Sequence, residues 1–332
     1  MKRKLLPLGL SLLLVVAFIL TGSALAAEEE PVAIHFFAGG PPGCIFATVV
    51  ERGAMAAAEI LGPRVKVTTW WSDWLAEKMI TQFQEAMAMR PDGIVVYGVP
   101  GDDAFEPFID EAKELGIIVT TINTTLPKLE ARYKLDGFGW IGADLYGSGY
   151  QLGEATVKHA GLVEGDRVFV WGMLGYGPIR GLRSRGVIDA FEEAGLVVDY
   201  LEVSDEVNVD PALGIPVAAG HLLANPDTKV IVTDHGGMTA VLEDYIKAAD
   251  LGPEDIFGAG FDLSPAIVRA IRGGYTDLVL DQQPFLHGFL SIFQIYLSHH
   301  YDFTGLHVDT GAGLIHAGNI EEVAALAEAG IR

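Results

Sequence analysis

Two stretches of this chain, 87–123 and 222–262, echo one another. The first reads MAMRPDGIVVYGVPGDDAFEPFIDEAKELGIIVTTIN and the second LLANPDTKVIVTDHGGMTAVLEDYIKAADLGPEDIFGAGFD. Pro91-Asp92 stands 135 residues before Pro226-Asp227, and Gly116 stands 136 before Gly252. Upstream, AAAEILGPRVKVTTW (56–70) parallels AFEEAGLVVDYLEV (190–203), with Gly62 standing 133 residues before Gly195. A near-constant offset over three segments restricts the chain to two similar units, each with its own core. Within each unit short apolar runs alternate with helical periodicity, the pattern of parallel βαβ folds. The expected fold class is α/β: two similar Rossmann-like lobes with parallel sheets. A chain of about 300 residues beyond its N-terminal segment can bury two such cores.

Open α/β sheets bind ligands outside the carboxyl ends of their strands. The residues that close each apolar run are therefore the first candidates for a site. Residues 258–284 read GAGFDLSPAIVRAIRGGYTDLVLDQQP. The run Ile256–Phe261 ends at Asp262, and Leu278–Leu280 ends in Asp281, Gln282, Gln283 and Pro284. Between them, Ser264 as N-cap and Pro265 in the first turn predict a helix start, with Gly273 and Gly274 as its stop. The same reasoning takes Ile117–Ile122 to Asn123, Val230–Thr233 to Asp234, and Val65–Thr69 to Trp70 and Trp71. If the two lobes turn these ends toward each other, Trp70, Trp71, Asn123, Asp234, Asp262 and Gln282 line a cleft. Each has a plainer use as well. Asn123 suits an Asx-turn, Asp234 an N-cap, Asp262 and Gln282 capping or crossover contacts, and one tryptophan the core.

Composition narrows the setting. MKRKLLPLGLSLLLVVAFILTGSALA (1–26) has a basic start, an apolar stretch from Leu8 to Leu20 and a small-x-small end at Ala24-Leu25-Ala26, the pattern of a cleaved signal peptide. The only cysteine, Cys44, lies far beyond the apolar stretch, so no lipobox is present and no internal disulfide can form. An extracytoplasmic or periplasmic location is expected. The net charge of −22 becomes −25 without Lys2, Arg3 and Lys4, a surface that repels phosphate backbones and excludes nucleic acid as a partner. No phosphate-binding GxxxxGK[ST], GxSxG or HExxH motif occurs. GFGWIG (137–142) matches GxGxxG literally, but without a strand before it or a helix directly after it. His299-His300 are adjacent and project differently on a helix, a poor metal pair. No metal, cofactor or catalytic residue is expected.

The ordered motifs CIFATVVERGAMAAAEILG (44–62), RSRGVIDAFEEAG (183–195), IVTDHGGMTAVLEDYIKAADL (231–251) and GFDLSPAIVRAIRGGYTDLVLDQQP (260–284) carry a resemblance. The chain resembles periplasmic solute-binding proteins of the ribose- and galactose-binding type, which feed ABC importers. The resemblance spans the sequence after the signal segment. It implies two lobes joined by a three-strand hinge, residues 31–143 with 283–309 and residues 144–282 with 310–332, closing on one small ligand. It implies that Phe46 stacks on a sugar ring and that Asn123, Arg183, Asp234, Asp262 and Gln282 hydrogen-bond its hydroxyls. It also implies a membrane permease as partner and a monomeric, non-catalytic protein. Three places depart from the family pattern. Asn123-Thr124 stand where Asp-Arg is frequent, Asp234 stands where Asn is frequent, and VNVDPALG (207–214) has no aromatic. Trp70, Trp71, Trp171 or Tyr176 are candidates for the missing stacking face, and His235 for a polar contact.

A sugar or polyol fits these residue types. Carboxylates, amides and an arginine fork pair with hydroxyls, and aromatic rings cover C–H faces. Other readings of the same architecture are a carrier for a nucleoside, an amino acid or a furanosyl signalling compound, and a chemoreceptor ligand carrier. A DNA-binding regulator would need an N-terminal helix-turn-helix where the signal segment stands, and an exported enzyme would need a nucleophile or general base in the cleft.

Overall fold

The computed structural model describes residues 30–311 and 313–332. The signal segment read over residues 1–26 lies outside the described residues. In the first half of the chain strands and helices alternate: β1 Val32–Phe37, α1 Ile45–Leu61, β2 Val65–Trp70, α2 Ala76–Ala88, β3 Gly93–Tyr97, α3 Asp102–Glu114, β4 Ile118–Ile122, α4 Pro127–Tyr133 and β5 Trp140–Gly142. The second half repeats the alternation: α5 Leu145–Ala160, β6 Arg167–Gly172, α6 Leu182–Glu193, β7 Val197–Glu202, α7 Asp205–Val209, α8 Ile215–Ala224, β8 Thr228–Thr233, α9 Gly236–Thr239, α10 Leu242–Ala248, β9 Phe257–Phe261, α11 Pro265–Arg272 and β10 Leu278–Asp281. The chain ends with α12 Pro284–Tyr301, β11 His307–Asp309, β12 Gly313–His316 and α13 Ile320–Glu328.

These strands form two sheets of six, in the orders β11-β5-β4-β3-β1-β2 and β12-β10-β9-β8-β6-β7. The pairings are parallel apart from β10 with β12. Runs such as GIVVY in β3 are buried throughout, as a sheet covered on both faces requires. One face of the first sheet packs with α1 and α12 around Phe36, Val50 and Ile295, and the other packs Phe83, Phe105 and Ile109. The second sheet packs Trp171, Leu222 and Tyr245 on one side and Val187, Phe191 and Phe261 on the other.

The internal echo maps onto matched places. Pro91-Asp92 and Pro226-Asp227 precede β3 and β8, and Gly62 and Gly195 precede β2 and β7. One pairing needs correction. Gly116, at φ 76°, closes α3 in the left-handed region, and its counterpart after α10 is Asp250 at φ 58°, not Gly252. Aspartate reaches that region more readily than most side chains, so the same turn is built with a different residue. The echo also reaches the helix contacts. A Cβ on Gly53 would lie 1.9 Å from the Phe285 carbonyl, and one on Gly288 would lie 1.9 Å from that of Val50. In the second half, Gly186 faces the Tyr146 carbonyl at 2.3 Å and Gly149 that of Arg183 at 2.1 Å by the same measure. The pairs α1–α12 and α5–α6 thus pack backbone against backbone in the same way.

Three connections pass between the sheets. β5 leads into α5, which packs on β9 and β10; β10 leads into α12, which packs on α1, β4 and β5; and β11 leads into β12. No helix of the described residues is long and apolar enough to cross a membrane.

Candidate functional site

The strand ends carry the candidate residues. Asn123 directly follows β4 and Asp262 directly follows β9, and the two are structural counterparts. Both are left-handed, at φ 59° and 69°, and each backbone N–H bonds the next strand at 2.9 Å, to the carbonyl of Ile141 or of Leu280. β10 runs into Gln282 and the left-handed Gln283 at φ 55°. These short polar ends place side chains at the sheet's carboxyl edge rather than in its pleat.

Arg183, Asp234, Asp262 and Gln282 form one buried network, exposed by only 3%, 3%, 4% and 1%. Arg183 lies in the first turn of α6, with its guanidinium 4.5 Å from the centre of the Phe261 ring. It donates to the Asp234 carbonyl at 3.1 Å and to Gln282 Oε1. Gln282 Nε2 donates to Asp262 Oδ1 at 2.7 Å, and the Gly236 N–H donates to Asp262 Oδ2 at 3.1 Å. Asp234 is no N-cap: its carboxylate accepts from Arg180 and, at 2.5 Å, from the Ser184 hydroxyl. Ser264 does cap α11, accepting from the Ile267 N–H at 3.2 Å.

The first half of the chain meets this network. Helix α9 contacts α1, and a small cavity between them is lined by Ile45, Phe46, Val49, Gly236, Asp262, Leu263 and Pro284. Phe46 stands edge-on to the His287 ring, with centres 5.9 Å apart, and 6.2 Å from Trp74. Buried His287 lies within hydrogen-bonding distance of Thr310 Oγ1 at 2.9 Å, and that hydroxyl donates to the Gln282 carbonyl. Asn123 is half-buried beyond Ile122, the β4 partner of Tyr97, and its Oδ1 accepts from the Thr124 hydroxyl at 3.2 Å.

The tryptophans divide. Trp70 is not brought to the network: it stacks on Phe37 at 5.9 Å and donates its indole N–H to His35 Nδ1 at 3.1 Å. Trp71 packs on the same apolar cluster as Phe46 and Tyr97. Trp171 is fully buried against Phe169 and Tyr245, and Tyr176 donates to Asp205 at 2.5 Å. The aromatic beside Phe46 is Trp74, which sequence reasoning missed. It follows β2 in the turn Asp73-Trp74, and the W-W-S-D-W spacing alone does not say which ring turns inward. Tyr97 and His287 were missed as well, one hidden as the last residue of an apolar strand and the other inside a helix. Arg180 was missed too: it lies three residues ahead of Arg183, outside the 183–195 motif.

Burial and charge set the protonation states. Burial raises the Asp262 carboxyl to about 6 despite nearby Arg183. Burial also pushes Asp234 up, but Arg180 and Arg183 outweigh it and hold that carboxyl below its ordinary value. Burial lowers Arg183 to about 10, His235 to about 4 and His287 to about 3. At neutral pH two guanidiniums therefore face two carboxylates among neutral imidazoles. Five buried polar atoms in this region lack a partner among the described residues: Tyr97 Oη, Arg180 Nη1, Arg183 Nε, His235 Nε2 and His287 Nδ1. No group of three or more metal-ligating side chains occurs among the described residues.

A family model described as periplasmic binding protein domain matches residues 41–297. A xylose/arabinose-binding protein of Sulfolobus acidocaldarius is 30% identical over 259 residues, 73% of this chain and 61% of its own length. The chain thus spans under two thirds of that relative. Among solved structures, a carbohydrate transporter of Acidothermus cellulolyticus in complex with myo-inositol aligns with TM-score 0.74 at 21% identity, covering 91% of this chain and 100% of the other. A solute-binding protein of Agrobacterium vitis with bound D-fucose aligns with TM-score 0.77 at 18% identity, covering 89% and 99%. Both share the fold. With the family model spanning most of its length, the chain belongs to the periplasmic binding protein domain family.

Proposed function

We propose that this protein captures a neutral monosaccharide or related polyol between its two lobes and delivers it, unaltered, to the membrane permease of an ABC importer. The observation that carries the reading is the set of unpaired buried donors and acceptors around a network of balanced charge. Buried polar groups are ordinarily paired, and each one left bare costs about 1–3 kcal/mol. A ligand rich in hydroxyls satisfies many at once. A charged ligand would upset two guanidiniums matched by two carboxylates. Relatives named for xylose and arabinose, myo-inositol and fucose support the substrate class.

In this reading Phe46 covers an apolar face of the sugar, and Arg183, Asp234, Asp262 and Gln282 bond its hydroxyls from the second lobe. Asn123 serves the first lobe. The lobes are residues 31–143 with 283–309 and 144–282 with 310–332, rotating about the three connections between the sheets, so that closure reports occupancy to the permease. The protein is an exported monomer, released by cleavage of its signal segment. A thermal-shift screen tests this. A neutral sugar or polyol at about a thousandfold its Kd adds roughly 4 kcal/mol of stability, a shift of several degrees. A response to glutamate or a sugar phosphate alone would overturn the substrate class.

A further inference from the structure

The second half of the chain supplies charges and amides to the cleft, and its 207–214 segment has no aromatic. The rings come from the first half. Asp73 and Trp74 are both left-handed, at φ 54° and 59°, an expensive backbone for a tryptophan. Three contacts hold it. Lys78 pairs with Asp73 at 2.5 Å, the Trp74 N–H donates to the Gly39 carbonyl at 3.0 Å, and Gly39-Gly40 pass directly against the indole. A Cβ on Gly39 or Gly40 would come within 2.6 or 2.7 Å of that ring. The indole stands edge-to-face with Tyr97 at 5.3 Å and tilted to Phe46, and it stays half-buried with part of its surface open.

Tyr97 is fully buried, yet its hydroxyl has no partner among the described residues. Burial holds the phenol well above its ordinary pKa, and Cys44 and Asp262 lie near enough to raise it further. Trp74, edge-to-face with Tyr97, lies 6.2 Å from Phe46, and Phe46 and Asp262 line the same small cavity from the two halves of the chain.

We infer that Trp74 and Tyr97 are the specificity-determining pair of the first lobe. Trp74 gives a ring face for the C–H side of a pyranose, and the Tyr97 hydroxyl, with Asp262 opposite, holds one sugar hydroxyl. This rests on the sugar reading above and deepens it. The pair favours a six-membered ring with a flat C–H face, which stacks over a broad indole, over acyclic polyols.

Calorimetric titration of the purified protein and its variants with D-xylose, L-arabinose, D-glucose and the acyclic polyol D-sorbitol tests the inference. The unaltered protein should bind at least one of the cyclic sugars more tightly than sorbitol. Tyr97→Phe removes only an unpaired oxygen, so the ligand-free variant should unfold at the same temperature or higher while sugar affinity falls about 5- to 30-fold. Trp74→Ala should weaken the cyclic sugars about tenfold or more and leave sorbitol nearly unchanged; Trp74→Phe, which keeps a ring, should recover part of the loss. Wild-type affinity in Tyr97→Phe, or an equal loss for cyclic and acyclic ligands in both Trp74 variants, would overturn the inference while leaving the sugar reading intact. No binding of any of these ligands by the unaltered protein would remove that reading, and the inference with it.

Discussion

Arg183→Met is the most informative single change. The methionine keeps much of the apolar volume over Phe261 but removes the fork that bonds Gln282 and the Asp234 carbonyl. Taking one partner from a buried charge network costs roughly 3–5 kcal/mol. At 2–4 °C per kcal/mol, that lowers the Tm by about 6 °C or more. The loss should depend on pH in a set direction. Asp262 titrates at about 6 in the folded protein against an ordinary 3.8, a penalty of about 3 kcal/mol at neutral pH. A carboxyl raised on folding loses stability as pH climbs through its folded pKa and regains it on acidification. Without Arg183 that carboxyl rises further, Asp234 loses one of the cations that hold it down, and His235 and His287 are freed from a repelling charge. All four effects make the variant's deficit larger at about pH 8 than at about pH 5. Thermal unfolding followed by circular dichroism at both pH values reads it. A Tm within a degree of wild type, or the same deficit at both pH values, would refute the reasoning.

Four further outcomes are expected. Gly288→Ala puts a methyl 1.9 Å from the Val50 carbonyl and should destabilise the protein by 1–3 kcal/mol or more in thermal unfolding. Gly220→Ala, exposed in α8 with nothing within 4 Å, should instead gain about 0.5–1 kcal/mol in the same assay. Arg332→Ala leaves the buried Asp281 carboxylate without the guanidinium that meets it at 2.7 Å, at a cost of about 1–3 kcal/mol in the same measurement. Sugar affinity should be flat near neutrality and fall by up to tenfold per pH unit below about 6, as Asp262 takes up a proton and ceases to accept, which calorimetry across that range would detect.

Much of this architecture is legible in the sequence because buried parallel strands leave little choice of residue. GIVVY and TKVIVT can be little else between their turn signals, and the repeated offset pairs them into two units. Asn123, Asp234, Asp262 and Gln282 were visible for the same reason: a polar residue that closes an apolar run sits at the sheet edge. Ser264 was visible from its capping chemistry alone. What stayed hidden depends on tertiary direction. Trp70 and Trp74 have the same composition and nearly the same position, and only the left-handed turn at Asp73-Trp74 sends the second toward Phe46. Tyr97 read as core because its ring is core; only its buried hydroxyl, without a partner among the described residues, sets it apart. The match of Gly116 to Gly252 failed because a turn conserves its backbone angle, which Asp250 also meets, rather than its residue type.

In the proposed function, balanced charge and unpaired buried polar groups select a neutral sugar. Calorimetric titration of the purified protein near neutral pH against D-xylose, L-arabinose, D-glucose, glutamate, adenosine and glucose 6-phosphate tests it most directly. One-to-one binding of a neutral sugar, with glutamate and the phosphate silent, is the expected result. Tighter binding of either charged ligand than of every neutral sugar would contradict it.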